Sequence, residues 1–345
     1  VATGGNVTHL GKQTRARLRR CVVVATIACL AAAPSPGGLA ALLDATGAYP
    51  ERPIHIIVPF AVGTQLDIAA RIVGAKLADA VGQPVVIENR PGASGNIGSE
   101  IVARSAPDGY TLLMTGSLIT LLPSTLGPNA VNPVVSFAPV SKLAKVPLVI
   151  LVHPSLGVTT LPELVTLARR QPGRIAYATP GVGTTSHLAA AILAQEAGID
   201  LLHIPYVDTG MALREVLTGE PPVYLAFRGP IDAYVRSGQL KALAVAGSNR
   251  MLAWPDVPTV AELGYPDAAI DPWNGVLAPA RTPPTIVARL YREFASIMHQ
   301  TDVREQFMQL GMEPLATMPE AFAAEIRESV ARWPALINAT GIHAQ

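Results

Sequence analysis

From residue 54 onward the chain repeats one pattern: a short apolar strand, a glycine-bearing loop, then a helix. IHIIVPF (54–60) leads into LDIAARIVGAKLADAVG (66–82), where Leu66, Ala69, Ala70, Val73, Leu77 and Val81 fall on one helical face. PVVIENR (84–90) is a second strand, PGASG a turn, and a helix is expected through 97–105. YTLLMTG (110–116) is a third strand. Such alternation predicts parallel sheets covered by helices. Between 117 and 140 the chain is rich in Pro, Ser and Asn and shows no period.

VPLVILVHP (146–154) is a strand with breakers at both ends, and the first domain crossing is placed there. The alternation then restarts. A helix over 160–171 carries Pro162 in its first turn. The strand RIAYATPG (174–181), a helix over 186–198, the strand LLHIPY (201–206), the helix MALREVLTG (211–219) and the strand PPVYLAF (221–227) follow. LKALAVAG (240–247) comes next, and the chain crosses back near WNGVLAP (273–279). Two amphipathic helices, about 284–309 and 319–339, finish it. The expected organisation is a leader over 1–46, a discontinuous lobe over 49–152 plus 275–345, and a second lobe over 153–274. No internal repeat is visible at the scale of 20–50 residues. With 50% hydrophobic and 15% charged residues, the chain can fill two cores and is not disordered.

The leader reads as a secretory signal. Its first 43 residues hold no Asp or Glu but carry Lys12, Arg15, Arg17, Arg19 and Arg20. The apolar run CVVVATIACLAAA (21–33) follows, then small residues, with cleavage placed near Ala45 or Ala48 and a periplasmic location expected. A short membrane anchor is the alternative, although Pro34, Pro36 and Gly37 interrupt the run. The remainder has 21 Lys+Arg against 24 Asp+Glu, which gives no electrostatic footprint for nucleic acid. Both cysteines, Cys21 and Cys29, lie in the leader, so the body has no disulfide and no thiol-ligated metal. No stretch after residue 46 has the 18 apolar residues of a membrane span.

Ligands of α/β sheets bind beyond the carboxyl ends of the strands. Three loops stand there: Phe60 to Gln65, Pro91 to Asn96, and Thr179 to Ser186. Each mixes Gly with hydroxyl or amide residues and opens a helix. Glycines admit close backbone approach. The first N–H groups of a helix lack internal partners and carry partial positive charge, so they can hold a carboxylate without a cation. Ordinary N-capping is the plainer alternative for each loop. Asp67 either favours the helix dipole or anchors its loop through backbone N–H groups, the second being preferred.

Catalytic patterns are incomplete. Gly92-Ala93-Ser94-Gly95 misses the nucleophile elbow because Asn96 replaces its last Gly. Gly181 to Ser186 misses the dinucleotide fingerprint because Ser186 replaces its third Gly. There is no Walker A sequence and no HExxH pair, and no cofactor or metal is expected. Ser94, or Ser186 with His187, would be the nucleophile of an exported esterase; His187 is read instead as bonding a backbone group. Trp273 is either a pocket wall or core.

The same loops carry a family pattern. YPERPIHIIVPF (49–60), GQPVVIENRPGASGNIG (82–98), APDGYTLL (106–113), GVGTTSHLA (181–189), HIPY (203–206), DVPTVAELGYP (256–266) and WNGVLAPARTP (273–283) resemble, in order, the Bug family of periplasmic receptors of tripartite tricarboxylate transporters. The resemblance implies a type 2 periplasmic-binding-protein fold, two α/β lobes with a ligand cleft at a hinge. It implies a monomeric, non-enzymatic receptor for a small carboxylate (a di- or tricarboxylate, acidic amino acid or aromatic acid) that serves membrane transporter subunits. By position, Phe60, Gly63, Thr64, Gln65 and Asp67 would form the first wall. Ser94, Gly95 and Asn96 would form the second, and Gly183, Thr184 and His187 the third. Three departures mark this chain. Ala61-Val62-Gly63-Thr64 replaces a Pro-rich, double-Gly loop, and Leu66 stands where a hydroxyl is common. Val207-Asp208-Thr209-Gly210 replaces a Lys-Gly segment, so Asp208 would repel a far carboxylate or accept from an amine. Arg228 would pair with Asp208, clamp a second carboxylate, or lie at the surface. A sensing subunit that passes its signal to a membrane kinase remains the alternative to transport.

Overall fold

The computed structural model describes Val1 and residues 49–340. Apart from Val1, the expected leader with its cleavage point and both cysteines lies outside the described residues. Strand β1 (Ile54–Val58) pairs in parallel with β2 (Val85–Asn89) on one side and β3 (Thr111–Gly116) on the other. Helix α1 (Gln65–Val81) connects β1 to β2 and buries Leu66, Ala69, Ala70, Val73 and Leu77, the expected face. Helix α2 (Asn96–Ala103) connects β2 to β3.

The sheets are mixed rather than wholly parallel. Strand β4 (Phe137–Lys145) belongs to the same six-stranded sheet, and β5 (Leu148–Val152) starts a five-stranded one. In the second sheet β6 (Ala176–Thr179) is parallel to β7 (Leu202–Pro205) and to β8 (Val223–Phe227), while β5 is antiparallel to β8 and to β9 (Lys241–Val245). Helices α3 (Leu161–Arg170), α4 (Thr185–Ala197), α5 (Thr209–Val216) and α6 (Arg228–Arg236) lie between these strands in sequence. The returning strand β10 (Trp273–Pro279) runs antiparallel to both β3 and β4. It enters the first sheet from the second, and so from the end opposite to a βαβ crossover. Helices α7 (Pro284–Met298) and α8 (Thr301–Gln309), strand β11 (Glu313–Thr317) and helix α9 (Pro319–Thr340) complete the chain.

The passage between sheets falls at Val146-Pro147, earlier than the expected change at 152–153, because all of β5 pairs in the second sheet. Two chain segments cross there side by side: Val146 N–H donates to Pro272 C=O at 2.8 Å. Helix α9 spans both layers. Its Phe322 and Ile326 join the first sheet's core, and Trp333 and Ile337 join the second's. Arg332 donates to the carbonyls of Ala269 and Asp267 at 3.1 and 2.6 Å. No described helix is long and apolar enough to cross a membrane.

Candidate functional site

The β1–α1 and β6–α4 loops are built alike. Gly63 (φ 83°) and Gly183 (φ 73°) take the left-handed region that a side chain disfavours. Each precedes a threonine cap: Thr64 Oγ1 accepts from Asp67 N–H and Thr184 Oγ1 from His187 N–H, both at 3.4 Å. Each hydroxyl donates back, to Ala61 C=O at 2.9 Å and to Gly181 C=O at 2.8 Å. Each glycine N–H is then caught from below. Asp67 Oδ2 accepts from Gly63 N–H at 2.9 Å, and His187 Nδ1 accepts from Gly183 N–H at 3.1 Å. The N–H groups of Gln65, Leu66, Thr185 and Ser186 sit in first helical turns, where no preceding carbonyl can reach them.

Both helix starts open on one cavity of about 430 Å³ beside the two crossing segments. Phe60, Leu118, Val146, Phe227 and Trp273 supply apolar wall, and Ser117, Thr209 and Asn274 add polar groups. Asp208 is the one charged residue among those lining it. Ser186 is 1% exposed and its Oγ has no hydrogen-bond partner, although it lies on the cavity wall. A buried hydroxyl left unpaired costs roughly 1–3 kcal/mol, so a hydrogen bond from a ligand would be favourable at this position.

Of the residues singled out in sequence, Phe60, Thr64, Gln65, Thr184 and Asp208 line this cavity. Gly63 and Gly183 do not line it but directly precede the lining threonines, and Asp67 and His187 are buried beneath their loops as anchors. The third loop supports rather than lines. A Cβ on Gly95 would lie 3.3 Å from the Phe60 ring, and Asn96 holds Asn129 C=O and Val131 N–H at 3.1 and 2.8 Å. Ser94 sits in that turn at φ 54°. Asp208 Oδ1 caps α5 by accepting from Met211 N–H at 2.8 Å. Arg228 pairs with Asp232 at 3.1 Å and donates to Met308 C=O at 2.6 Å, away from Asp208. Trp273 is both wall and core: it is 2% exposed and meets Phe322 edge-on at 4.7 Å. Sequence reasoning missed Ser117, although it directly follows a strand end. It placed Ser186 at the end of the third loop and weighed it also as a nucleophile with His187, yet Ser186 makes no bond to His187, whose Nδ1 is engaged by Gly183. Among the described residues no group of His, Cys, Asp and Glu could hold a metal ion.

His187 stacks on His203 at 3.8 Å, and His203 on Tyr177 at 4.9 Å. Burial, and secondarily the neighbouring His203, pushes the His187 pKa down to about 4. Burial lowers His203 too. His187 is therefore neutral at pH 7 with an Nδ1 lone pair for Gly183; a proton there would face the Gly183 N–H. A histidine pKa depressed by folding contributes stability that is complete above the ordinary value near 6.5 and declines as pH falls toward 4. Urea unfolding should thus lose up to ~3 kcal/mol of stability between pH 7 and pH 4 from this group. In His187→Gln that part of the pH dependence should vanish; an unchanged profile would remove His187 as its source.

Two α/β sheets joined by paired crossing segments, with helix N-termini facing a cavity beside them, define the class of two-lobed periplasmic binding proteins. A family described as "Tripartite tricarboxylate transporter family receptor" matches residues 69–342. Protein BugT of Bordetella pertussis is 36% identical over 88% of this chain and 94% of its own. The periplasmic binding protein BugD has a similar structure, with a TM-score of 0.73 and 32% identity, covering 86% of this chain and all of its own. The Rhodopseudomonas palustris protein MatC with bound malate is 30% identical, with a TM-score of 0.70, over 84% of this chain and all of its own. R. palustris Rpa4515 with adipate is 29% identical with a TM-score of 0.75, over 86% of this chain and all of its own. The chain belongs to the tripartite tricarboxylate transporter receptor family.

Proposed function

We propose that this receptor is exported, with its leader cleaved near Ala45 or Ala48, and holds one small carboxylate in the cavity between its lobes. It delivers that ligand to the membrane subunits of a tripartite transporter and performs no chemistry on it. The observation that carries the reading is Ser186 Oγ, buried and unpartnered on the cavity wall in the first turn of α4. A carboxylate there would accept from Ser186, from Thr185 and Ser186 N–H and, across the cavity, from the start of α1. Solved relatives with adipate and malate support a carboxylate ligand. The lobes would close by rotation about the segments at Val146 and Pro272, with α9 strapping both.

A thermal-shift screen of small carboxylates tests this, because a ligand that binds only the folded state raises the melting temperature. Ser186→Ala on the best hit then tests the site. Removing an unsatisfied hydroxyl should leave the ligand-free protein as stable or more so. Affinity should fall by roughly 1.5–3 kcal/mol, the worth of a hydrogen bond to a charged group. Undiminished affinity would place the carboxylate elsewhere.

A further inference from the structure

The cavity is electrically lopsided. The α4 start is capped by the uncharged Thr184 and has no acid in its first turn, which leaves its positive end unneutralised, whereas α1, capped by Thr64, carries Asp67 in its first turn. The third, α5, is capped by Asp208, a full negative charge. The α4 and α5 starts abut, since they follow adjacent parallel strands and Tyr206 N–H donates to Thr179 C=O at 3.0 Å. No Lys or Arg lines the cavity to answer a second anionic end of a ligand. Arg214, the cation nearest along α5, forms no ion pair within 4 Å with Asp208 and does not line the cavity, although its Nη1 and Asp208 Oδ1 flank Gly210, 3.7 and 3.2 Å from where a Cβ there would stand. One Asp208 oxygen is spent on the Met211 cap; a carboxylate has acceptor capacity left on the other. Between the two poles the walls are Phe60, Leu118, Val146, Phe227 and Trp273.

Resting on the carboxylate reading above, we propose that the ligand is zwitterionic: an amino acid with an apolar side chain, its carboxylate at Ser186 and the α4 start, its ammonium at Asp208. A second carboxylate on the ligand would meet Asp208 and the apolar wall with no cation to offset either. That selects against dicarboxylates on Coulombic and desolvation grounds together.

Calorimetry with three probes of similar length separates the possibilities: norleucine, hexanoate and adipate. Norleucine should bind at least tenfold more tightly than hexanoate, because a hydrogen bond between charged groups is the stronger kind. Adipate should be weakest. Asp208→Asn keeps a good cap for α5 while deleting the charge. It should cut norleucine affinity about tenfold or more and raise adipate affinity. Melting of the ligand-free variant within a few degrees of the parent certifies the fold. If adipate binds best in the parent, or Asp208→Asn leaves the ranking unchanged, the zwitterion assignment is overturned while the carboxylate site stands. If none of the three binds and no carboxylate shifts the melting point, the carboxylate reading itself fails.

Discussion

Gly229→Ala should weaken ligand binding by roughly five- to a hundredfold, yet leave the ligand-free protein at least as heat-stable as the parent. The reason is a bare backbone contact between lobes. A Cβ at Gly229, the second residue of α6, would lie 2.4 Å from Leu310 C=O in the turn after α8. The approach is reciprocal, since a Cβ at Gly311 would lie 2.3 Å from Gly229 N. Arg228 donating to Met308 C=O and Leu252 N–H donating to Glu313 at 2.9 Å flank the same contact. A methyl group forced against main chain costs about 1–3 kcal/mol, since neither partner can rotate away. Alanine is also a better helix residue than glycine, so an α6 freed from the contact loses nothing by the change. If the lobes separate here when ligand leaves, the whole penalty falls on the bound state. Calorimetric affinity and ligand-free melting temperature, measured together, decide it. Lower ligand-free melting would mean the contact is permanent. Unchanged affinity would mean that it plays no part in closure.

This side of the molecule differs from the other in kind. Across the α9 side, Trp333 and Ile337 are 5% exposed within the second lobe's core, so separation there would expose large apolar side chains. Across the α6 side the contact is polar, a close backbone approach flanked by the Arg228 side chain on Met308 C=O and the Glu313 carboxylate on Leu252 N–H. Separation on the α6 side would therefore expose less apolar surface than separation on the α9 side.

What could be read from sequence follows from where the determinants lie. Helix α1 was legible because its own spacing sets its buried face, and β5 because all five residues are buried and apolar. Strand β4 was not: Pro139, Ser141 and Lys142 interrupt its apolar pattern, and its partners β10 and β11 lie far along the chain. Helix α6 was hidden by Pro230, which a first turn accommodates. The single helix expected over 284–309 is two, parted at His299-Gln300 without a Gly or Pro to mark the break. At the site, the loops were visible from Gly and hydroxyl residues at strand ends. Their kinship was visible too, in Val62-Gly63-Thr64 and Val182-Gly183-Thr184, but 120 residues apart and so outside the period of repeat folds. That Ser186 is unpartnered, and that the 91–96 loop props Phe60, depends on how separate segments meet, which no local pattern encodes.

The two kindred loops make opposite use of the same anchoring position, and Asp67→Ala should expose the difference with a stability loss of about 2–3 kcal/mol, since it strips a backbone N–H, an amide and a half-exposed guanidinium of their acceptor. Asp67 is 1% exposed. Its oxygens accept from Gly63 N–H at 2.9 Å and Asn89 Nδ2 at 2.9 Å, and it pairs with Arg71 at 2.9 Å. Burial works to raise its pKa, but bonds from Arg71, Gly63 and Asn89 together outweigh it and hold the value below the ordinary carboxylate range. Truncation leaves a backbone N–H, an amide and a guanidinium to find other partners at once. A carboxylate pKa depressed by folding contributes stability that is present above the unfolded value and lost only as pH falls through the folded one. The β1–α1 loop therefore holds through the mildly acidic range in which His187 begins to take up its proton and the β6–α4 loop loosens. Urea unfolding of Asp67→Ala should show the loss undiminished from pH 5 to pH 8. The His187→Gln difference from the parent should shrink across the same range as pH falls. An Asp67→Ala protein within 1 kcal/mol of the parent would mean that Arg71 and Asn89 hold the loop without it, and the buried carboxylate would lose its role as the anchor of the β1–α1 loop.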